Sequence, residues 1–368
     1  MFKIKKQLSK LYSSSVLGNL SLTGAWVAIL AARGYSLVEI GIAETVFHIT
    51  SLIFEIPSGV LADVFGRKRM LIVSSIMRMI GNIIMIFSHN LLMVCLSIAF
   101  HALSYNFSSG TGDALAYDSL KKAKAESGFE RYMSNQLIIY RLCSGISTLC
   151  AGFALFIGYK AAYGTDLITG AVQIMILASL NEICAGNTRG RKAGRSLKET
   201  GKELAACFKE SFSFLKQARK AIGLMLCNSF VGAVDVLLLF FLQAKLPEKG
   251  IPSWVLGFAL LFMEMGGIIG SRLILKLHKL GYRSVFVIAT ALVLTGVFAE
   301  HSSMWQVMAL GGFLAAVGDD AIQVRTNAAL QNMFPSEQRA TLTSAESFSF
   351  SVIMIVLSPL AGFAFTHW

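Results

Sequence analysis

Long apolar segments, separated by short polar ones, run through almost the whole chain. A helix needs about 20 apolar residues to cross the hydrocarbon core of a bilayer, and eleven segments approach or exceed that length. They lie at about 11–32, 37–60, 70–88, 91–118, 132–158, 161–183, 221–243, 254–277, 283–300, 304–330 and 339–365. The pattern therefore predicts an all-α polytopic membrane protein with eleven transmembrane helices.

The composition supports a membrane location. Of the 368 residues, 55% are hydrophobic and only 15% are charged, which is too apolar for a soluble globular domain. The lipid bilayer is therefore the first partner that we expect. The formal net charge is +12, but the basic residues cluster between apolar segments without interleaved aromatic residues, so we expect no nucleic acid partner. The six cysteines show no C-x-x-C spacing, and we predict neither a metal site nor a cofactor.

Basic residues mark alternate loops. They precede the first segment and recur between segments 2 and 3, 4 and 5, 6 and 7, and 8 and 9. The other loops are short and carry few positive charges. Because loops rich in Lys and Arg stay on the cytoplasmic side, we expect a multi-pass protein of the cytoplasmic membrane with its N-terminus in the cytoplasm.

A short charged motif joins the second and third segments. From Gly59 to Arg69 the chain reads GVLADVFGRKR, which leaves only a very short loop between two membrane-crossing helices. Gly59 and Gly66 are expected where helices approach closely or where φ must turn positive. Asp63 and Arg67 lie four residues apart and could pair.

This pattern, G-x-L-A-D-x-x-G-R-K-R, resembles the signature between the second and third helices of the major facilitator superfamily. The segment from Phe334 to Thr341 resembles the tenth-to-eleventh loop of its bacterial drug-efflux-like members. The resemblance implies the major facilitator fold, with two pseudo-symmetric helical bundles around a central cavity, and a secondary transporter rather than an enzyme. It also implies a latch that closes at the cytoplasmic rim when the outward-open state forms. The latch residues are Gly59, Asp63, Gly66, Arg67, Lys68 and Asp118.

The longest polar stretch divides the eleven segments into six and five. We expect an N-terminal six-helix bundle at 1–183, a basic cytoplasmic linker at 184–220 and a C-terminal bundle of five helices at 221–368. Since the resemblance implies six helices in each half, we expect this chain to lack the twelfth. We expect the protein to act as a monomer.

Ionisable side chains within the segments are candidates for proton coupling. A charge at the bilayer centre costs at least about 2.5 kcal/mol and persists only beside a partner or a cavity. Glu44, His48 and Glu55 fall on one stripe of the second segment. The proton-coupling or cavity candidates are Glu44, His48, Glu55, Asp113, Arg141, Asp235, Glu264, Asp319 and Arg325.

Two further pairings are expected. Asp113 and Arg141 fall at similar depths and could pair, either as a static packing contact or as part of a proton-coupling site. Arg78 in the third segment is expected to pair with an acid of the second. The resemblance implies that polar residues of the cavity-lining helices contact substrate, and the candidates are Asn19, Trp26, Tyr105, Asn106, Tyr140 and Asn228.

These observations favour an alternating-access secondary transporter whose partners are a small-molecule substrate and protons. The leading hypothesis is proton-coupled efflux of amphipathic or cationic organic compounds. A proton- or cation-coupled importer of a small metabolite is the alternative within transport. Outside transport, a transport-inactive sensor or relic and an intramembrane enzyme stay open, although the chain has no H-E-x-x-H, G-x-S-x-G or Walker motif.

Overall fold

The structure is a computed structural model and describes residues 4–182, 219–277, 279–333 and 339–367. Helices make up nearly all of these ranges, which contain no strand. In the first half they are α1 (Ile4–Asn19), α2 (Trp26–Ala32), α3 (Leu37–Phe65), α4 (Arg67–Phe87), α5 (Leu91–Ser108), α6 (Thr111–Lys122), a 3-10 turn (Glu126–Gly128), α7 (Phe129–Leu149), α8 (Ala151–Ile157) and α9 (Tyr159–Ala178). In the second half they are α10 (Arg219–Glu248), α11 (Ser253–Lys276), α12 (Tyr282–Ala299), α13 (Trp305–Met333) and α14 (Arg339–His367).

Within the described ranges, nine spans are long and apolar enough to cross a membrane, or ten if the bent pair of α7 and α8 counts as one. This confirms an all-helical, multi-span membrane protein. The first predicted segment, 11–32, differs from the prediction. It forms two helices separated by residues 20–25, so the prediction of one continuous first helix is wrong.

Two other predicted segments are interrupted as well. Segment 91–118 breaks between α5 and α6 at Gly110, whose φ of 66° lies in the left-handed region. Glycine adopts this conformation without steric cost. Segment 132–158 bends by 49° between α7 and α8. The remaining boundaries agree with the apolar pattern to within a few residues.

The loop of the charged motif is a single residue. Helix α3 ends at Phe65 and α4 begins at Arg67. Gly66 between them has a φ of 96°, which confirms the prediction of a positive φ there. Gly59 differs, because it lies inside α3 and no heavy atom stands within 4 Å of the place where its Cβ would be. The expectation that helices approach closely at Gly59 is wrong.

The described residues form two compact units. Unit 1 comprises 4–24, 49–147 and 157–182, and unit 2 comprises 25–48, 148–156 and the described part of the second half. Each unit therefore takes segments from separate parts of the chain. The domain boundaries at 183 and 220 stay a prediction, since residues 183–218, most of the expected linker, lie outside the described ranges.

Glycines bring helix backbones together within unit 2. A Cβ at Gly41 of α3 would overlap the carbonyl of Ser358 on α14, and a Cβ at Gly362 would overlap the carbonyl of Leu37. Such reciprocal contacts allow Cα–H groups to approach carbonyl oxygens and are typical of tightly packed membrane helices. A reciprocal contact also joins α8 and the end of α7 to α11 (Gly152 with Ser253, Gly257 with Leu149). Between α11 and α13 both glycines belong to α11 (Gly266 with Phe313, Gly270 with Val317).

Candidate functional site

Three carboxylates influence one another inside unit 2 and are called the acid cluster here: Asp235 of α10, and Asp319 and Asp320 of α13. Asp235 is 4% exposed, and Asp319 and Asp320 act on it electrostatically. Its Oδ1 is buried without a hydrogen-bond partner in the described part of the chain. The acid cluster therefore brings together two predicted candidates, Asp235 and Asp319, and adds Asp320.

Glycines make room for these carboxylates. A Cβ at Gly232 of α10 would stand 3.2 Å from Oδ1 of Asp319, and a Cβ at Gly267 of α11 would overlap the Asp320 carboxylate. Gly232 precedes Asp235 by three residues, so both lie on one side of α10. The spacing of small residues thus sets how closely α10 and α11 approach the two acids of α13.

The same side of α10 continues to Asn228, one turn before Gly232. Its Nδ2 donates to Oε1 of Glu346 on α14 at 3.3 Å, while its Oδ1 is buried without a partner among the described residues. Asn228 was a predicted substrate contact. An unused buried acceptor beside a carboxylate is suited to a ligand that donates hydrogen bonds.

A second polar group joins α3 to α14 in unit 2. His48 Nε2 lies 3.2 Å from Oε1 of Glu44, and His48 Nδ1 lies 3.3 Å from the Ser351 hydroxyl. All three residues are at most 9% exposed, and the ring of Phe350 stands edge-on to the imidazole. Two residues of the predicted stripe, Glu44 and His48, therefore contact each other, and the third, Glu55, is partly buried and belongs to unit 1.

Two residues of the predicted latch contact each other in unit 1, and the role of a latch stays a prediction. Arg67 forms an ion pair with Asp118 and its Nη1 also donates to the Ala114 carbonyl at 2.6 Å. Asp63 lies in α3, but its side chain is outside those that the structure describes. The backbone N–H of Lys68 donates to Glu182 at 3.1 Å. The sequence did not single out Glu182, which provides a carboxylate at the start of α4, where the helix dipole favours one.

Three proton-coupling candidates, Arg141, Glu264 and Arg325, lie apart from the acid cluster. Arg141 is exposed and forms no ion pair with the partly buried Asp113 in the described structure. Glu264 is exposed and accepts a hydrogen bond from Thr148 at 2.9 Å. Arg325 donates to the carbonyl of Leu277 at 2.9 Å, near the end of α11. These three side chains stay proton-coupling candidates that the structure does not bring to the acid cluster.

Most predicted substrate contacts have local partners. Asn106 exchanges hydrogen bonds of 2.8 Å with the hydroxyl and the carbonyl of Ser51, so both ends of its amide are used in packing. Asn19 donates to the Ser15 carbonyl in its own helix, and the Trp26 ring stands edge-on to that of Phe240. The side chains of Tyr105 and Tyr140 are exposed.

The prediction that Arg78 pairs with an acid of the second segment is wrong. Its guanidinium donates to the Gly18 carbonyl at 2.7 Å and to Gln173, and the carboxylate that acts on it electrostatically is Asp166 of α9. The sequence analysis missed Asp166, which is 7% exposed. The available signal was an aspartate inside the predicted segment 161–183.

Multiple membrane-spanning helices define a polytopic membrane protein, and carboxylates buried in their packing are typical of transporters. The profile of the Major Facilitator Superfamily matches residues 11–296. The chain belongs to the major facilitator superfamily, whose members are transporters and not enzymes.

Individual relatives agree with this assignment. YxaM, an MFS-type transporter of Bacillus subtilis (strain 168), is 21% identical over 353 residues, which cover 92% of this chain and 84% of that protein. The crystal structure of the nucleoside transporter NupG superposes with a TM-score of 0.71 at 15% identity, covering 98% of this chain and 90% of that one. The D-xylose-proton symporter superposes with a TM-score of 0.63 at 10% identity, covering 98% and 88%. At these identities the structures share the fold alone.

Proposed function

We propose that this secondary transporter exchanges protons for cationic or amphipathic organic compounds and exports them across the cytoplasmic membrane, with the N-terminus in the cytoplasm. The acid cluster carries the proposal. Removing a carboxylate from water is costly unless it is paired or protonated. Asp235 is buried, and the negative charges of Asp319 and Asp320 act on it.

Buried carboxylates that repel one another disfavour ionisation of all three without a compensating cation. Two kinds of cation can relieve the repulsion, namely a proton or the positive group of an organic substrate. If both bind to the same acids, the binding of one releases the other, which is the basis of exchange. The unused acceptors of Asp235 and Asn228 offer hydrogen-bond partners to an ammonium-like group.

Ethidium is a suitable probe for this proposal. Proteoliposomes that contain the full chain and have an acidic interior should accumulate ethidium, and a protonophore should abolish the accumulation. Asp235→Asn removes the charge but keeps the shape. A hydrogen bond to a charged group contributes about 1.5–3 kcal/mol, so we expect kcat/KM to fall roughly 10- to 150-fold.

Glu248→Gln is the matched control, because Glu248 lies on the same helix as Asp235 and is exposed. It should transport ethidium at the rate of the unmodified protein. Equal rates for Asp235→Asn and Glu248→Gln would remove the acid cluster from the mechanism. Accumulation of uridine or xylose under an acidic exterior, with no ethidium transport, would replace export by import of a small metabolite.

A further inference from the structure

Three helices of unit 2 come together at one end of the unit. Helices α11 and α12 both pack on α13 rather than on each other. Near the end of α13, the Arg325 guanidinium donates to the carbonyl of Leu277, the residue that follows α11, at 2.9 Å. The next residue, Thr326, shares a hydrogen bond of 2.9 Å with the hydroxyl of Tyr282, the first residue of α12. These two contacts hold the turn between α11 and α12 against α13.

This end of unit 2 is strongly basic. Four exposed residues and the partly buried Arg325 are called the basic patch here: Arg272 and Lys276 of α11, Lys279 of the turn, Arg283 of α12, and Arg325 of α13. Residues 265–299 and 321–336 contain no Asp or Glu. Among the residues that the structure describes, no ion pair joins the basic patch to an acid. The positive charges of the patch are therefore not compensated by those parts of the protein.

The arrangement of these charges is unfavourable without an anion. Arg272 and Lys276 lie one turn apart on α11, and like charges at this spacing repel each other. Arg283 lies in the first turn of α12, where the helix dipole favours a negative charge. Gly281 precedes that turn and provides no side chain to accept hydrogen bonds from its N–H groups. An anion with several oxygen atoms would relieve the repulsion and bind the free N–H groups.

Arg325 adds an unused hydrogen-bond donor. Its Nη2 donates to Leu277, but its Nε is buried without a partner in the described part of the chain. A buried polar group without a partner indicates a missing ligand or water. The planar guanidinium matches the geometry of phosphate oxygens, so a phosphate group is a suitable ligand for the patch.

Exposed apolar side chains adjoin the basic patch on both outer helices. On α11, Met265 and Ile269 precede Arg272 on the same side and are 47% and 46% exposed. On α12, Val287 follows Arg283 by one turn and is 61% exposed. Basic residues thus stand at the ends of apolar surfaces, as a phosphate headgroup stands at the end of its acyl chains. This continuity favours a lipid over a water-soluble phosphate compound.

We propose that the basic patch binds the phosphate group of an anionic phospholipid whose acyl chains lie along α11 and α12. Basic pockets between membrane helices are known to bind anionic lipid headgroups. With the N-terminus in the cytoplasm, as proposed above, the patch lies in the cytoplasmic leaflet. The inference goes beyond the proposed function, because it concerns a surface of unit 2 and does not involve the acid cluster.

Native mass spectrometry of the full chain, freed of bound lipid in detergent, tests the proposal with phosphatidylglycerol and phosphatidylcholine as probes. The unmodified protein should bind phosphatidylglycerol more tightly. A Lys or Arg beside an anionic lipid strengthens binding about 5-fold. The triple variant Arg272→Gln, Lys276→Gln, Arg283→Gln should therefore lose roughly 100-fold in affinity for phosphatidylglycerol, and its affinity for phosphatidylcholine should change little.

The control is a triple variant of unit 1 with the same change in net charge: Lys121→Gln, Lys124→Gln, Arg131→Gln. These residues are exposed as well, and the variant should bind phosphatidylglycerol like the unmodified protein. Equal losses in the two triple variants would overturn the proposal, since net charge alone would then control binding. Equal affinities of the unmodified protein for the two lipids would also overturn it. Displacement of phosphatidylglycerol by inorganic phosphate would replace the lipid by a soluble phosphate compound as the ligand.

Thermal unfolding separates lost binding from lost folding. Without lipid, the α11–α12 triple variant should melt at or above the temperature of the unmodified protein, because it removes repulsion between exposed side chains. Phosphatidylglycerol should raise the melting temperature of the unmodified protein and of the control variant, but not that of the α11–α12 variant. An equal rise in all three would overturn the proposal. A protein that binds phosphatidylglycerol at the basic patch but moves no ethidium would contradict the proposed antiport alone, so the two proposals fail separately.

Discussion

Two glycines of the same motif, Gly59 and Gly66, occupy different backbone conformations. Gly66 has a φ of 96° and forms the whole loop between α3 and α4. A Cβ there would also stand 2.9 Å from the Glu182 carboxylate. Gly59 is helical and has open space around it. The motif is one unit in the sequence, but its glycines serve different physical purposes.

Substitution by alanine should therefore change the stability of the fold in opposite directions at the two glycines. Gly66→Ala places an L side chain in the left-handed region and should destabilise the fold by about 1–2 kcal/mol. Gly59→Ala removes backbone freedom in the unfolded chain and should stabilise it by about 0.5–1 kcal/mol. Thermal unfolding of the purified protein in detergent measures both. A higher melting temperature for Gly66→Ala than for Gly59→Ala would contradict the backbone assignment.

At this scale the sequence predicted the residues whose partners are close along the chain or belong to the motif. The positive φ of Gly66 is an example. Asp166 was missed because its partners, Ser21 and Thr23, lie more than 140 residues earlier in the chain. Hydropathy shows that a carboxylate is present in a span, but only the packing of α9 against the break shows what it binds.

Among the helices, the contact between α3 and α14 depends on two glycines that face each other's carbonyl groups. Gly41 packs on Ser358 and Gly362 on Leu37. Thr45 adds a hydrogen bond of 3.1 Å to the carbonyl of Ile355. Since backbone atoms cannot move aside as a side chain can, even a methyl group must separate the two helices at this point.

Gly41→Ala should thus open the α3–α14 contact. Overpacking costs about 1–3 kcal/mol, which corresponds to roughly a 5- to 150-fold larger open population. Ser358 is 0% exposed, so its accessibility measures the opening of this contact. In a protein whose native cysteines are replaced by serine, Ser358→Cys should resist a membrane-impermeant maleimide and should react faster once Gly41→Ala is added.

Gly164→Ala on α9 is the control, because no heavy atom lies within 4 Å of its missing Cβ. It should leave the labelling rate of Ser358→Cys unchanged. If Gly41→Ala and Gly164→Ala label equally, the close backbone contact does not control access to this face of α14.

Helix breaks illustrate what the apolar pattern leaves out. Gly110 could have been assigned to a break, because glycine is the residue that adopts a left-handed conformation. The break at residues 20–25 also contains a glycine, Gly24, but Gly24 is not in the left-handed conformation, and Ser21 and Thr23 are also tolerated in a continuous membrane helix. The hydroxyl groups of Ser21 and Thr23 donate to Asp166 of α9, and this contact depends on tertiary packing.

For the whole molecule, the apolar pattern and the motif were sufficient for the fold class and the family. The assignment of segments to compact units was not predictable in the same way. Residues 25–48 and 148–156 belong to unit 2, although the pattern of spans groups them with the first half of the chain. Which helix ends pack together depends on the contacts of Gly41 and Gly152, and these involve residues about 100 to 320 positions away.

The ion pair of Arg67 with Asp118 belongs to this scale, because a latch acts on the equilibrium between conformations of the entire transporter. Asp118→Asn removes a charge-assisted hydrogen bond of about 1.5–3 kcal/mol but leaves the Ala114 carbonyl as an acceptor for Arg67. We expect the turnover of ethidium in proteoliposomes to fall roughly 10-fold or more, while equilibrium binding of ethidium in detergent stays within a factor of two or so of the unmodified protein.

The exchange Arg67→Asp with Asp118→Arg restores an opposite-charge pair and should recover part of the turnover, whereas Arg67→Asp alone should not. Arg69→Gln is the control within the same motif, because Arg69 is exposed. Its turnover should match that of the unmodified protein. A latch changes the populations of the transporter's conformations and does not contact the ligand. A ligand that binds two conformations equally does not change their populations, and its affinity does not depend on them. If Asp118→Asn weakened ethidium binding as much as it slowed transport, this residue would belong to the binding site and the latch would have to be assigned elsewhere.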